Sequence, residues 1–191
     1  NLERQGGSLK VDGGLTFART RPIGEIDRCD LLFVPGGMAA TDVILDRPFL
    51  AEIQRLARQA RFLTSVCTGS LILGGAGLLQ GRRAACHWAW RDLLPLFGAT
   101  IGEERVVRDG NLITGGGVTA GIDFALEIAA ELVGREAAQR IQLQIEYAPA
   151  PPFAAGRPET APPEVVEQLR SGLAGIMAKR RADAEKAAAL L

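Results

Sequence analysis

Short apolar runs alternate with segments of helical periodicity along the middle of the chain. Residues 30–34 and 61–66 are apolar runs of the length typical of buried parallel strands. Residues 48–60, between them, predict an amphipathic helix whose apolar face carries Phe49, Ile53, Leu56 and Ala57. Strands that alternate with helices in this way predict an α/β fold with a mostly parallel sheet and helices on both faces.

Asp-Gly turns predict two hairpins. Residues 8–11 and 15–18 flank Asp12-Gly13-Gly14, and residues 104–108 and 111–114 flank Asp109-Gly110. The remaining predicted elements are a short strand at 83–86 and helices at 89–97, 119–133 and 135–144.

The two ends of the chain differ from its middle. Residues 1–7 are polar where an α/β domain is expected to begin near an apolar strand, so we expect the sheet to lack its first strand in this chain. Residues 149–163 hold six prolines and predict an extended arm of the α/β domain, which we assign to residues 1–163. Residues 164–191 predict one helix, with a weak apolar stripe that packs on the same domain or on a dimer partner.

Composition excludes several classes of function. Lys+Arg and Asp+Glu are both 22, so the formal net charge of zero favours neither nucleic acid nor a membrane surface as a partner. No apolar run approaches the roughly 20 residues of a spanning helix. Cys29, Cys67 and Cys86 form no CxxC pair, which argues against a zinc site or a disulfide framework. We therefore expect a cytoplasmic protein without a metal.

Cys67 is the strongest candidate for chemistry. It follows the apolar strand 61–66 and precedes an apolar segment, to about Gly75, that predicts a helix. A thiol at such a strand-to-helix turn lies at the positive end of the helix dipole, which favours the reactive thiolate. The arrangement is that of a nucleophile elbow, with sulfur as the nucleophile. Cys29 and Cys86 lack this context and are expected to be structural.

Three glycine-bearing turns follow predicted strands and are expected to meet in one crevice, because sites lie at the carboxyl ends of parallel strands. They are Pro35-Gly36-Gly37, Cys67-Thr68-Gly69 and Gly115-Gly116-Gly117. Gly36 and Gly37 are expected to stabilise developing charge through backbone N–H groups, with Thr68 as a second donor. Each glycine could instead serve only the turn, and Thr68 only the helix start.

His87 is the only histidine in the sequence, and it is a candidate base or orienting group for Cys67 or, alternatively, a structural residue. Gly117, Val118 and Thr119 are expected to line the pocket with His87, and Thr119 could also cap the following helix. This glycine run lacks the lysine of a phosphate loop and the spacing of a dinucleotide fingerprint.

These motifs together resemble the ThiJ/PfpI superfamily, which has the class I glutamine amidotransferase-like fold. The resemblance rests on residues 33–37, 64–70, 77–84, 87–88 and 106–117. Residues 142–153 are similar to the isonitrile hydratases within that superfamily. The resemblance implies a flavodoxin-like three-layer sandwich, a homodimer and a catalytic cysteine that needs no cofactor.

The resemblance also implies a reaction, the hydration of an isocyanide to an N-substituted formamide. Cys67 would form a thioimidate intermediate, Gly37 and Thr68 would hold it, and Val118 would shape the pocket. In the family an acidic residue of the first strand donates a proton, and no residue of this chain corresponds to it, which puts activity in doubt. Thr68 stands where protease-type relatives have histidine, which argues against a peptidase.

Two other functions stay open. AraC-type transcription regulators carry a similar elbow in a ligand-sensing domain, although residues 164–191 predict one helix and not a helix-turn-helix pair. Oxidation of Cys67 in a redox-sensing or stress-protective protein is the other alternative.

Overall fold

A four-stranded sheet forms the centre of the fold, in a computed structural model that describes residues 2–3, 7–11 and 14–191. The strands are β1 Leu2–Glu3, β2 Gly7–Lys10, β3 Thr16–Pro22, β4 Leu31–Val34, β5 Phe62–Val66, β6 Arg83–Ala84, β7 Thr100–Ile101, β8 Val106–Asp109 and β9 Leu112–Gly115. The α-helices are α1 Ala40–Val43, α2 Arg47–Ala57, α3 Gly69–Gly75, α4 Ala120–Val133, α5 Arg135–Gln144 and α6 Pro163–Ala188. Two 3-10 helices span Ile23–Glu25 and Arg91–Phe97.

The central sheet has the order β4-β5-β9-β8. β5 pairs in parallel with both β4 and β9, and β8 closes the sheet as an antiparallel edge. Val34 is in register with Ser65, and Val66 with Gly115, so the three parallel strands end at the same edge. This topology confirms the α/β, flavodoxin-like class, and it places the three glycine-bearing turns at one edge of the sheet.

β4 lies at the other edge of this sheet. Within residues 2–3, 7–11 and 14–191, no strand pairs with its outer side. A separate three-stranded sheet has the order β1-β3-β2.

Both predicted hairpins form. β2 pairs antiparallel with β3, and β8 with β9. Asp12 and Gly13 of the first predicted turn lie outside the described residues, as do residues 1 and 4–6 of the polar N-terminal segment. In the second turn, Gly110 has a φ of 60°, a value that favours glycine and explains the Asp-Gly signal.

Helix α2 shows how the local sequence sets an element. The Asp46 side chain accepts a hydrogen bond from the Phe49 N–H at 3.1 Å, and Pro48 lies in the first turn. Leu50, Ile53 and Leu56 then bury one face against the core. Burial of these side chains stabilises the packing of α2 by roughly 1.5–3 kcal/mol each.

Two predicted elements differ in the structure. Residues 91–97 form a 3-10 helix and not an α-helix, and Pro95 within it has no N–H for an α-helical hydrogen bond. The strand predicted at 83–86 is limited to β6, which pairs in parallel with β7, a strand that the sequence did not indicate.

Helix α6 packs against α1, α3 and the 3-10 helix Arg91–Phe97 of the same chain. Ala184 and Ala187 join the main core, whereas Leu169, nearer the start of the helix, is 52% exposed. None of the helices in the described ranges is long and apolar enough to cross a membrane.

Candidate active site

Cys67 occupies a sharp elbow between β5 and α3. Its φ is +61°, in a region that a residue with a side chain rarely adopts. Its N–H donates to two carbonyls at the end of β9, to Gly115 O at 3.1 Å and to Gly116 O at 2.8 Å. These bonds hold the strained turn against the neighbouring strand end. The thiol is half-buried there.

Two glycines allow the loop after β4 to approach this elbow. A Cβ on Gly36 would lie 2.6 Å from Thr68 N and 2.9 Å from Cys67 Cβ. A Cβ on Gly69 would lie 2.1 Å from Val34 O. Glycine is therefore required at these two positions, because the backbone segments approach too closely for a side chain.

Gly37 and Thr68 form a mutual pair. The Gly37 N–H donates to Thr68 Oγ1 at 3.0 Å, and this hydroxyl lies 3.2 Å from Gly37 O, to which it can donate. Thr68 is 1% exposed. The Gly37 N–H, selected from the sequence as a stabilising donor, is thus engaged by the residue that follows the nucleophile. A bound intermediate would have to compete with Thr68 for it.

The free protein does not favour the Cys67 thiolate, contrary to the expectation from the sequence. Burial raises the pKa of the Cys67 thiol above its usual value. The backbone N–H and hydroxyl of Thr68, and then the charge of Arg180, lower this pKa, but burial is the largest effect. The sulfur therefore holds its proton at neutral pH.

His87 forms no hydrogen bond with Cys67 in the part of the chain that the structure describes. Its Nδ1 accepts a hydrogen bond from the Ala89 N–H at 3.2 Å, and its ring lies 5.0 Å from that of Trp90 between centroids. Burial, followed by the charge of Arg180, lowers the pKa of His87. The neutral imidazole consequently carries its proton on Nε2, so this nitrogen is a hydrogen-bond donor and not a base.

A cavity of about 260 Å³ lies at the loop after β9, and neither Cys67 nor Thr68 is among the residues that line it. The cavity is lined by four of the residues that were predicted from the sequence to form the pocket, namely His87, Gly117, Val118 and Thr119. Residues 156–159 of the proline-rich arm form the opposite wall. Gly116, whose carbonyl accepts from the Cys67 N–H, also lines the cavity and connects it with the elbow.

Two of the arginines around this cavity form ion pairs within the chain. Arg91 pairs with Glu159, and Arg105 pairs with Asp123 at 2.5 Å. Arg105 also donates to Thr119 Oγ1 at 3.0 Å, so the Thr119 side chain does not cap α4. Among the residues that the structure describes, no group of three His, Cys, Asp or Glu side chains could hold a metal ion.

A buried chain of hydroxyl groups beneath the elbow escaped the sequence analysis. Ser65 Oγ and Ser70 Oγ are 2.8 Å apart, and Ser70 Oγ donates to Ala85 O at 2.6 Å. The Ala85 N–H donates to Thr114 Oγ1 at 2.7 Å. The three hydroxyl side chains are 0% exposed. This series of hydrogen bonds fixes the segment that carries Cys86 and His87 against β5 and β9. Its only signal in the sequence is the presence of polar residues within apolar runs.

Comparison with known proteins finds a family whose model matches most of the chain. The model of the DJ-1/PfpI family matches residues 3–131. The chain is 53% identical to isonitrile hydratase from Pseudomonas putida over 178 residues, which cover 93% of this chain and 78% of that protein.

Two further proteins are similar over much of the chain. The crystal structure of a THiJ/PfpI family protein from Pseudomonas syringae has a TM-score of 0.91 at 42% identity, and the match covers 96% of this chain and 76% of that one. The HTH-type transcriptional regulator CdhR from Pseudomonas aeruginosa is 32% identical over 75% of this chain and 43% of its own length.

Proposed function

The chain belongs to the DJ-1/PfpI family, and from this membership we propose that it is an enzyme that hydrates isocyanides to N-substituted formamides. The observation that carries the proposal is the 53% identity to an isonitrile hydratase over 93% of the chain. The half-buried Cys67 thiol, at a positive-φ elbow whose N–H donates to the carbonyl of the cavity residue Gly116, supplies a nucleophile for this reaction.

In the first step of the proposed reaction, Cys67 Sγ adds to the terminal carbon of R–N≡C. The S–H bond breaks, an S–C bond forms, and the proton ends on the isocyanide carbon to give the thioimidate Cys–S–CH=N–R. Burial raises the pKa of Cys67, so the sulfur begins the step as a thiol and its proton is the one that the isocyanide carbon takes up. No oxidant or cofactor is needed for the atoms to balance.

In the second step, water adds to the thioimidate carbon. Its oxygen bonds to carbon, one proton moves to nitrogen, the C–S bond breaks, and loss of the remaining hydroxyl proton to sulfur restores the thiol and gives R–NH–CHO. The His87 Nε2–H is a candidate donor to the nitrogen, since its Nδ1 is engaged by the Ala89 N–H. Thr68 and Gly37 are the candidate groups that hold the intermediate.

We further propose that the protein acts as a homodimer. Large apolar side chains on α5 and after it are exposed in the single chain, and they include Leu143 at 82%, Ile145 at 56% and Phe153 at 77%. An apolar set of this kind is typical of a protein–protein contact. Light scattering of the purified protein tests the stoichiometry.

A ligand-sensing role is the second candidate, and the similarity to an HTH-type regulator favours it. The continuous helix α6, which spans Pro163–Ala188, weighs against a helix-turn-helix pair in this segment. An oxidation-sensing role is a further candidate that uses the same sulfur, and the raised pKa of Cys67 bears on this reaction and on attack at an isocyanide alike.

The test of the proposed reaction uses the purified protein with an alkyl or aryl isocyanide, and NMR detection of the formamide. Cys67→Ala is the decisive variant, and Cys29→Ala is the matched control. We expect turnover by the wild type and by Cys29→Ala, and none by Cys67→Ala. Equal rates with and without Cys67 would refute the proposal, and an isocyanide that binds without turnover would favour the sensing role.

A further inference from the structure

Arg180 is a buried cation in a helix whose neighbouring charges are exposed. It is 1% exposed, whereas the side chains of Lys179 and Arg181 on either side are 60% and 48% exposed. A guanidinium group is retained in a protein interior only where polar or aromatic groups compensate its loss of water. Its contacts therefore show what the end of α6 does for the rest of the fold.

The guanidinium group of Arg180 is held from two directions. Its Nη2 donates to Gly37 O and to Met38 O, at 3.1 Å each. Its Cζ lies 4.0 Å from the centroid of the Trp90 ring, the arrangement of a cation–π contact. Arg180 thereby links α6 to the loop after β4 and to the aromatic side chain that packs on His87.

The contacts continue from this loop to the elbow. Gly37, whose carbonyl accepts from Arg180, donates its N–H to Thr68 Oγ1, and Thr68 follows Cys67. The loop approaches the elbow so closely at Gly36 that a Cβ there would lie 2.7 Å from Thr68 Oγ1. Two hydrogen-bonded steps thus connect Arg180 with the residue beside the nucleophile.

Arg180 acts electrostatically on several groups of the site. Its positive charge lowers the pKa values of Cys67, Cys86 and His87. The Cys86 thiol is buried and uncharged, and the nearest acidic influence on it is Asp92. Neighbouring ionic groups form pairs of their own, Asp92 with Arg181, and Lys179 with Asp183 and Asp42.

We propose that Arg180 is a positioning residue for Cys67, which clamps the Gly37 and Met38 carbonyls so that Gly37 engages Thr68. The helix α6 is then part of the active site. The proposal rests on Cys67 as the reacting group of the proposed function and not on the identity of the substrate.

The test measures the reactivity of Cys67 without any isocyanide. Alkylation by iodoacetamide is followed across a pH series, and peptide mass spectrometry separates Cys67 from Cys29 and Cys86. We expect Arg180→Met to slow the alkylation of Cys67 about tenfold at neutral pH, which corresponds to an apparent pKa about one unit higher. Arg181→Met is the matched control, and its profile is expected to follow the wild type.

Arg180→Lys separates charge from packing. The single nitrogen that reaches both carbonyls can be replaced by an ammonium group, so we expect Lys to restore most of the lost reactivity. A wild-type profile for Arg180→Met, or a profile for Arg180→Lys as slow as that of Arg180→Met, overturns the proposal. If Arg180→Met does not fold by circular dichroism, Arg180→Gln takes its place with the same expectations.

This experiment distinguishes the two proposals. A loss of alkylation in Arg180→Met, with no formamide from the wild type, supports the role of Arg180 and rejects isocyanide hydration. Formamide production with an unchanged alkylation profile supports the hydratase and rejects the role of Arg180.

Discussion

Thr68 Oγ1 accepts a hydrogen bond from the Gly37 N–H and lies within hydrogen-bond distance of Gly37 O, which joins the nucleophile elbow to the loop after β4. Both contacts involve one buried hydroxyl, and Thr68 is 1% exposed. The loop position therefore depends on a side chain that adjoins Cys67.

Replacement of Thr68 by valine keeps the shape of this side chain and removes both hydrogen bonds. We expect the free energy of unfolding to fall by about 1–3 kcal/mol, because the Gly37 N–H loses its partner. We expect kcat/KM for the isocyanide to fall about 10²-fold, since the group beside the sulfur is lost. Urea unfolding and steady-state kinetics check both values, and Thr68→Ser should recover most of each loss. Full activity in Thr68→Val would show that the hydroxyl is dispensable.

A methyl group at Gly36 should have a large effect. Its Cβ would lie 2.6 Å from Thr68 N and 2.7 Å from Thr68 Oγ1, so the loop or the elbow must move. Gly36→Ala is expected to destabilise the fold by about 1–3 kcal/mol and to abolish most of the activity. Gly24→Ala is the matched control, because a Cβ at Gly24 meets nothing within 4 Å. Similar melting temperatures and rates for the two variants would contradict this account of the loop.

The sheet and the position of Cys67 could be predicted from the sequence for a physical reason. The apolar runs that end at Val34 and Val66 are in adjacent parallel strands, so the turns after them meet without any side-chain information. The glycines at 36 and 69 carried a signal because the close backbone approach leaves no space for a Cβ.

Other features depend on packing that the sequence does not show. The local pattern placed Cys67 at a helix start and predicted a thiolate, but the extent of its burial, which decides the direction of its pKa, results from the whole fold. Arg180 lies in an Ala-, Lys- and Arg-rich helix, and the composition of this helix is typical of a solvated face. Its burial is set by Trp90 and the loop at Gly37, which are distant in the chain.

His87 should titrate below the usual histidine pKa of about 6.5. Burial is the larger cause of this shift and the charge of Arg180 the second. The unfolded chain then takes up a proton before the folded one as pH falls, so His87 contributes a loss of stability below its unfolded pKa. NMR of this single histidine gives the titration directly, and the midpoint should move upward in Arg180→Met. A midpoint at or above the usual value would contradict the assignment.

Cys86 should make the protein less stable at alkaline pH. Burial, and then the proximity of Cys67, raises the pKa of Cys86 far above that of an exposed thiol. Above about pH 8.5 the unfolded thiol loses its proton while the folded one keeps it, so the free energy of unfolding decreases as pH rises. Urea unfolding at neutral and alkaline pH should show a smaller decrease for Cys86→Ala than for the wild type. An identical decrease in both would assign the effect to other groups.

The most direct test of the central claim is the intact mass of the protein during turnover. An isocyanide mixed with the wild type and quenched rapidly in acid should add its full mass to the chain, as a thioimidate that peptide mapping assigns to Cys67. Cys67→Ala should show no adduct and no formamide. Formamide production by a wild-type protein that never carries this adduct, or an adduct that persists in Cys67→Ala, would contradict attack by Cys67.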